Sequence, residues 1–231
     1  MTNSNKMIIN ALPTEFPNVL SLQVILYLHG DLVKWNQIKL IKYLQENADY
    51  TNVNFKGINL VKIKLCNINF QSINFEGVHL AGSQLQGANL EGINFQNANL
   101  YNINLVGANL KGANLQDANL ADAYLANANL QGANLEDANL QGSYIADANL
   151  EGANLEDANL KYIYFQRSNL KYAIFKNANL QGANLEDANL EGANLEGANL
   201  KCVYLQRANL KDATIKDANL KDANLENANF E

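Results

Sequence analysis

The sequence is poor in the residues from which most active sites are built. Its 231 residues include only two histidines, His29 and His79, which lie far apart and have no metal-ligand spacing around them. It contains no glycine-rich phosphate loop, no Ser–His–Asp set and no Cys/His cluster. These absences predict a protein that is not an enzyme and that holds neither a cofactor nor a metal ion.

Basic patches and long apolar runs are also missing. The net charge is −6, and the lack of a basic patch argues against direct binding of nucleic acid. The amino-terminal residues are polar, and residues 19–28 form an interrupted apolar stretch that is too short to cross a bilayer. With only two cysteines, Cys66 and Cys202, the composition agrees with a reducing compartment. We therefore expect a cytoplasmic protein that does not enter a membrane.

A five-residue repeat fills most of the chain. Thirty-six consecutive units cover residues 51–230 without an insertion or deletion, and every position divisible by five is Leu, Phe or Ile. Two residues earlier the side chain is small or aliphatic, and Asn usually lies between the two. On a helix the apolar residues would rotate by about 140° per unit. On a flat strand they would change face at every unit, so neither element keeps them together.

A chain that turns a corner after every five residues does keep its apolar side chains together. Four corners close a square, so we predict coils of twenty residues, stacked ~4.8 Å apart. The repeat region would form an all-β solenoid of about nine coils. The residues at multiples of five, and those two positions before them, would point inward. All thirteen glycines of the repeats would lie at corners.

The repeat units resemble a known family. The unit Ala153-Asn154-Leu155-Glu156-Asp157 follows the pattern A(D/N)LXX of the pentapeptide-repeat proteins, and the resemblance covers about four-fifths of the chain. It implies a right-handed quadrilateral β-helix, a handedness that agrees with the general preference for right-handed parallel crossovers. It also implies a structural or protein-interaction role of the kind found in cyanobacteria, where most members have no assigned biochemical role.

The first 49 residues lack the repeat and predict a small helical cap. Asp31 follows Gly30 as a helix N-cap, and apolar residues at a spacing of three continue to Leu44. Residues 17–29 fit a second helix, although their partial alternation leaves a strand possible. We expect residues 1–49 to cover the open end of the first coil and residues 50–231 to form the β-helix.

An acidic row is the first candidate protein-interaction surface. Its members recur at a spacing of one coil and are Asp117, Glu136, Asp137, Glu156 and Asp157. No Lys or Arg occurs between Gly112 and Leu160, so these like charges are expected to repel each other without compensation. The row is either a copied, solvated repeat or an anionic stripe that binds a basic partner.

A tyrosine row is the second candidate. Tyr124, Tyr144 and Tyr164 replace Asn in consecutive coils, and Tyr204 continues the row after a gap at Asn184. The rings either stack for structural reasons, like cross-strand aromatic pairs, or form a contact surface. On the same face, charges of alternating sign predict ion pairs between coils, namely at Arg167, Glu186, Asp187 and Arg207.

Two functional hypotheses and one oligomeric hypothesis follow. The first is a non-catalytic scaffold with an unidentified protein partner. The alternative, implied by the resemblance, is an acidic mimic of DNA that binds DNA gyrase. For self-association, we predict a homodimer joined end to end through Leu225 and Phe230 of the last coil. The rival arrangement is a side-by-side dimer through the tyrosine row.

Overall fold

The computed structural model describes residues 55–57 and 59–231. The chain divides into two units, Met1–Val53 and Asn54–Glu231. In the described residues there is neither a helix nor a continuous strand, only turns and isolated β-bridges. The helical cap, the boundary after residue 49 and the start of the first coil lie outside the described residues, so these stay predictions, as does the total of nine coils.

Each coil of the described unit takes twenty residues. Parallel β-bridges join residues twenty positions apart without a change of register, from Asn59↔His79 to Asn209↔Asn229. Beside each bridge, the N–H of the apolar residue donates to a carbonyl of the next coil; the Leu110 N–H donates to Asn129 O at 2.7 Å, for example. The coils are therefore held together by short hydrogen-bonded bridges, as the five-residue period requires.

Each corner is a β-turn that contains one left-handed residue. The Ala88 N–H donates to Leu85 O at 3.1 Å, and the residue two after each apolar centre has a φ between 53° and 70°. A positive φ at the second central residue alone is typical of type II turns. Glycines occupy this position as predicted, but so do Asn, Asp, Tyr162 and Arg167. The backbone thus adopts the same corner whichever residue is present.

The inward side chains form the core predicted from the repeat. From Phe55 to Leu210, every residue at a multiple of five is at most 2% exposed. Phe55 and Phe75 meet edge to face at 4.7 Å between ring centroids, and Phe75 stacks on Phe95 at 5.7 Å. Ser168 is also buried, and its hydroxyl donates to Ile145 O at 2.7 Å, so burial leaves that hydroxyl satisfied.

The four sides of the stack are numbered here in chain order. Face 1 centres on Leu60 and every twentieth residue after it, face 2 on Leu65, face 3 on Phe70 and face 4 on Phe75. A corner is named after the two faces that it joins. One side chain per face and coil, the residue just before the apolar centre, lies in the bridge and points outward.

Candidate protein-interaction surface

Asparagines form a hydrogen-bonded ladder on face 3. The bridge residue of this face is Asn in every described coil, from Asn69 to Asn229. The Asn149 side chain accepts from the Glu151 N–H at 3.2 Å and donates to Asn129 Oδ1 at 3.4 Å. Each Asn therefore stabilises its own corner, as in an Asx-turn, and most of them also join their coil to the preceding one. Faces 1 and 4 carry similar ladders.

Face 2 breaks this ladder with four tyrosines. The rings of Tyr124, Tyr144, Tyr164 and Tyr204 are 49%, 41%, 44% and 49% exposed. The Tyr144 and Tyr164 rings are tilted, with centroids 6.0 Å apart. The bridge between the same two residues has the register found on the other faces. The backbone therefore does not need Asn at these positions, and face 2 is called the tyrosine face below.

The borders of the tyrosine face add small and aromatic side chains. At corner 2–3, Ala126 and Ala146 leave the rings of the row accessible. At corner 1–2, Tyr162 is 54% exposed, and a Cβ built on Gly182 would lie 2.7 Å from its ring carbons. The Tyr162 ring therefore lies over Gly182 of the next coil. The predicted tyrosine row does not include Tyr162, because Tyr162 is a corner residue rather than a bridge residue.

Two bidentate ion pairs between adjacent coils lie along corner 2–3. The Arg167 guanidinium donates to both Asp147 carboxylate oxygens at 2.7 Å, and Arg207 donates to both oxygens of Asp187 at 2.7 and 2.9 Å. Arg207 also contacts Glu186. Hydrogen bonds from the arginines lower the pKa of Asp147 and of Asp187. Ion pairs between coils are thus present, and the partner of Arg167 is Asp147, which could have been found by counting back one coil.

Charge alternates from coil to coil in the second half of the stack. Residues 141–160 contain four acidic and no basic residues, residues 161–180 four basic and no acidic ones, and residues 181–200 four acidic and no basic ones. Ion pairs connect these layers on several corners, including Lys171–Glu191 at 3.0 Å. The alternation compensates most of the charge of these coils within the stack itself.

The acidic row lies along corner 4–1. Asp117, Asp137 and Asp157 are exposed, and none of them forms an ion pair with another described residue. The expectation that the whole row lacks compensation is wrong for Glu156, because Lys176 of the next coil lies 2.8 Å from its carboxylate. The partner is outside the stretch that has no Lys or Arg, and only the twenty-residue register brings it close.

The histidines, cysteines and carboxylates of the described residues are not clustered. Among them, no group of three or more His, Cys, Asp or Glu side chains is placed to hold a metal ion. His79 is an exposed bridge residue, and both cysteines are exposed and free. A search of this part of the chain for a helix long and apolar enough to cross a membrane found none.

The family model for pentapeptide repeats matches eight copies along the chain. The matches cover residues 73–112, 103–142, 148–187, 178–217 and 196–231. The chain belongs to the pentapeptide repeat family. Membership implies a right-handed quadrilateral β-helix for the repeat region, in agreement with the four corners per coil. Proteins of this family are generally structural or interaction proteins.

Solved structures of other pentapeptide repeat proteins are similar to the chain. HetL, involved in heterocyst differentiation regulation in the cyanobacterium Nostoc sp. strain PCC 7120, is 29% identical; the match covers 82% of this chain and 94% of HetL, with a TM-score of 0.48. QnrB1, a plasmid-mediated fluoroquinolone resistance protein, is 17% identical; the match covers 77% of this chain and 84% of QnrB1, with a TM-score of 0.36. A pentapeptide repeat protein of the Arabidopsis thaliana thylakoid lumen is 26% identical; the match covers 48% of this chain and 66% of that protein, with a TM-score of 0.29. No curated protein matches the sequence.

Proposed function

We propose that this pentapeptide repeat protein is a non-catalytic scaffold that binds a protein partner through its tyrosine face. The observation that supports the proposal is the replacement of the ladder asparagine by tyrosine, which among the described coils occurs on face 2 only. Face 3 retains Asn in every described coil, whereas face 2 replaces it with exposed tyrosines in four coils. The bridges are the same on both faces, so the fold alone does not call for the replacement.

The chemistry of the tyrosine face suits a protein interface. Tyrosine is enriched at interfaces because a rigid ring buries apolar area while its hydroxyl retains a hydrogen-bond partner. Tyr124, Tyr144 and Tyr164 lie in consecutive coils beside Ala126 and Ala146, and the charged groups of Arg167 and Asp147 at the border are paired with each other. An aromatic centre with a polar rim is the usual arrangement of a protein contact.

A pull-down with matched bait variants tests the proposal. The variant Tyr124→Asn/Tyr144→Asn/Tyr164→Asn restores the ladder residue, so it should fold normally and lose the partner. Tyr172→Asn is the control, because Tyr172 is 56% exposed but lies on corner 3–4, away from the tyrosine face. Proteins captured by the wild type and the control, but not by the triple variant, would support the proposal. The same captured proteins on all three baits would contradict it.

The acidic row supports a second candidate function, mimicry of DNA towards a DNA gyrase. Asp117, Asp137 and Asp157 are exposed at one-coil intervals, as in a line of phosphates, and form no ion pair within the described part. One basic residue, Lys176, follows the row on the same corner and pairs with Glu156, so the acidic surface ends there. A supercoiling assay with purified gyrase tests the candidate: inhibition that disappears when the three aspartates become asparagine supports it. No inhibition at an excess of protein contradicts it.

Two predictions from the sequence also remain proposals. The end-to-end homodimer would use Leu225 and Phe230, which are 36% and 46% exposed, and it is the alternative to a side-by-side dimer through the tyrosine face. The cytoplasmic location is likewise a proposal, and one similar structure comes from a thylakoid lumen. Fractionation of the native cells tests the location directly.

A further inference from the structure

The tyrosines are unevenly distributed along the bridge row of face 2, so two copies of this row can be complementary to each other. In chain order its residues are Tyr124, Tyr144, Tyr164, Asn184, Tyr204 and Asn224. Consider a two-fold axis that lies in this face, perpendicular to the stacking direction, midway between the coils of Tyr164 and Asn184. A second copy related by this axis runs antiparallel, and each corner meets the same corner of the other copy. Each Tyr164 then lies opposite Asn184 and each Tyr124 opposite Asn224, so in these pairs a ring meets a smaller side chain. Between them, each Tyr144 lies opposite Tyr204, so that two rings meet.

The same axis brings opposite charges together on corner 2–3 of the two copies. Asp147 lies opposite Arg207 of the second copy, and Arg167 lies opposite Asp187. The charges that already alternate along one chain therefore alternate across the interface as well. Complementary charges of this kind set the register of an interface more than its affinity.

Corner 1–2 follows the same rule. Tyr162 lies opposite Gly182 of the second copy, and Lys161 opposite Gln181, so the uncharged residues of one copy meet the bulky or basic residues of the other. The like charges that meet in this arrangement are Asp122 and Asp222, at the outer ends of the contact, where solvent screens them.

Other arrangements of the same faces bring like charges together. An axis that passes through the Tyr164 coil places Arg167 opposite its own copy and Asp147 opposite Asp187. A parallel dimer places corner 1–2 against corner 2–3, so that Lys161 faces Arg167 and Lys201 faces Arg207. Repulsion of this kind disfavours both arrangements. An axis midway between the coils of Tyr144 and Tyr164 also avoids like charges, but on corner 2–3 it pairs only Asp147 with Arg167. The axis between Tyr164 and Asn184 pairs both Asp147 with Arg207 and Arg167 with Asp187, so the alternating charges favour this register by the larger number of opposite-charge contacts.

We propose that the tyrosine face binds a second copy of this chain in the antiparallel register that places Tyr164 opposite Asn184. This inference rests on the proposed function, since it names the partner of the same face. The two stacks would face each other with their layers ~10 Å apart, the spacing of packed β-sheets. The observations that carry it are the charge pattern of corner 2–3 and the position of the missing tyrosine at Asn184.

Sedimentation equilibrium on the full chain tests the dimer. The wild type should be dimeric at low micromolar concentration, Tyr144→Asn/Tyr164→Asn should raise the dissociation constant at least tenfold, and Tyr172→Asn should leave it unchanged. A wild type that stays monomeric at high micromolar concentration overturns the inference. It leaves the proposed function intact, because the pull-down then reports on a different partner.

Cross-linking tests the register in a Cys66→Ser/Cys202→Ser background. Ala126 and Glu226 lie on corner 2–3, five coils apart in one chain, or ~24 Å at the usual spacing, but face each other across the proposed axis. A mixture of Ala126→Cys and Glu226→Cys chains should therefore be joined by a short bismaleimide that spans packed β-layers. Each variant alone should stay unlinked. A linked Ala126→Cys homodimer, an unlinked mixture, or an end-to-end dimer in solution scattering overturns the register.

Discussion

Faces 2 and 3 of the stack share their backbone and core but differ in one row of side chains. Leu185 under face 2 and Leu190 under face 3 are both fully buried, and the bridges above them have the same twenty-residue register. The outward bridge residue is Asn in every described coil of face 3, whereas four coils of face 2 have tyrosine. The comparison teaches that this fold separates its structural positions from one free position per face and coil.

The largest expected effect tests whether the two faces share one core. Leu185→Ala and Leu190→Ala should each destabilise the folded state by ~2–5 kcal/mol, because both create a cavity in a closely packed ladder. Urea unfolding monitored by circular dichroism measures both. If the losses of unfolding free energy in the two variants differ by more than about 1.5 kcal/mol, the cores under the two faces are not equivalent.

Most of the fold could be predicted because a period of five leaves few structures open. The apolar residues at multiples of five had to point inward, and from Phe55 to Leu210 they do. The glycine corners followed from the same reasoning and are confirmed by their positive φ. The tyrosine row could also be predicted, because residues twenty apart occupy equivalent positions once the coil length is known.

The remaining features depend on side-chain directions that the sequence pattern does not specify. Lys176 reaches back to Glu156 and Arg167 to Asp147, although each arginine or lysine has neighbours in both adjacent coils. The position of Tyr162 over Gly182 is a property of the left-handed corner, which orients the ring towards the next coil. Neither feature alters the five-residue period of the sequence, so neither could be predicted from that period.

A smaller effect is expected at the border of the tyrosine face. Gly182→Ala places a Cβ against the Tyr162 ring and adds a left-handed alanine, whereas Gly132→Ala, on a corner of face 3, has no atom within 4 Å of its new Cβ. The left-handed backbone should cost ~1–2 kcal/mol in both variants, and Gly182→Ala should cost more. Thermal unfolding measures the difference. The excess should disappear in a Tyr162→Ala background, and equal costs would mean that the ring does not lie over Gly182.

The bridge rows of the two faces should respond unequally to substitution. Asn149→Ala on face 3 removes the hydrogen bonds with the Glu151 N–H, Asn129 and Asn169, and should cost ~1 kcal/mol. Tyr144→Asn on face 2 should be nearly neutral when urea unfolding is measured on the dilute monomer. A greater loss for Tyr144→Asn than for Asn149→Ala would show that the tyrosines stack mainly to stabilise the fold.

The smallest effect concerns one carboxylate at the edge of each kind of surface. Asp147 beside the tyrosine face and Asp137 in the acidic row occupy equivalent corner positions, with φ of 60° and 56°. Asp147 accepts two hydrogen bonds from Arg167, whereas Asp137 has no ion pair within the described residues. Asp147→Asn should therefore slightly lower the urea midpoint at neutral pH, and Asp137→Asn should leave it unchanged or slightly raise it.

The pH dependence of this pair identifies the cause. Because the hydrogen bonds from Arg167 lower the pKa of Asp147 in the folded state, its contribution is present above the unfolded pKa, about 3.9, and is lost as the pH falls through the folded value. The difference in urea midpoint between the wild type and Asp147→Asn should thus disappear in strong acid. At neutral pH, 1 M salt should reduce this difference. A difference that persists in acid would assign the effect of Asp147 to its left-handed backbone rather than to its charge.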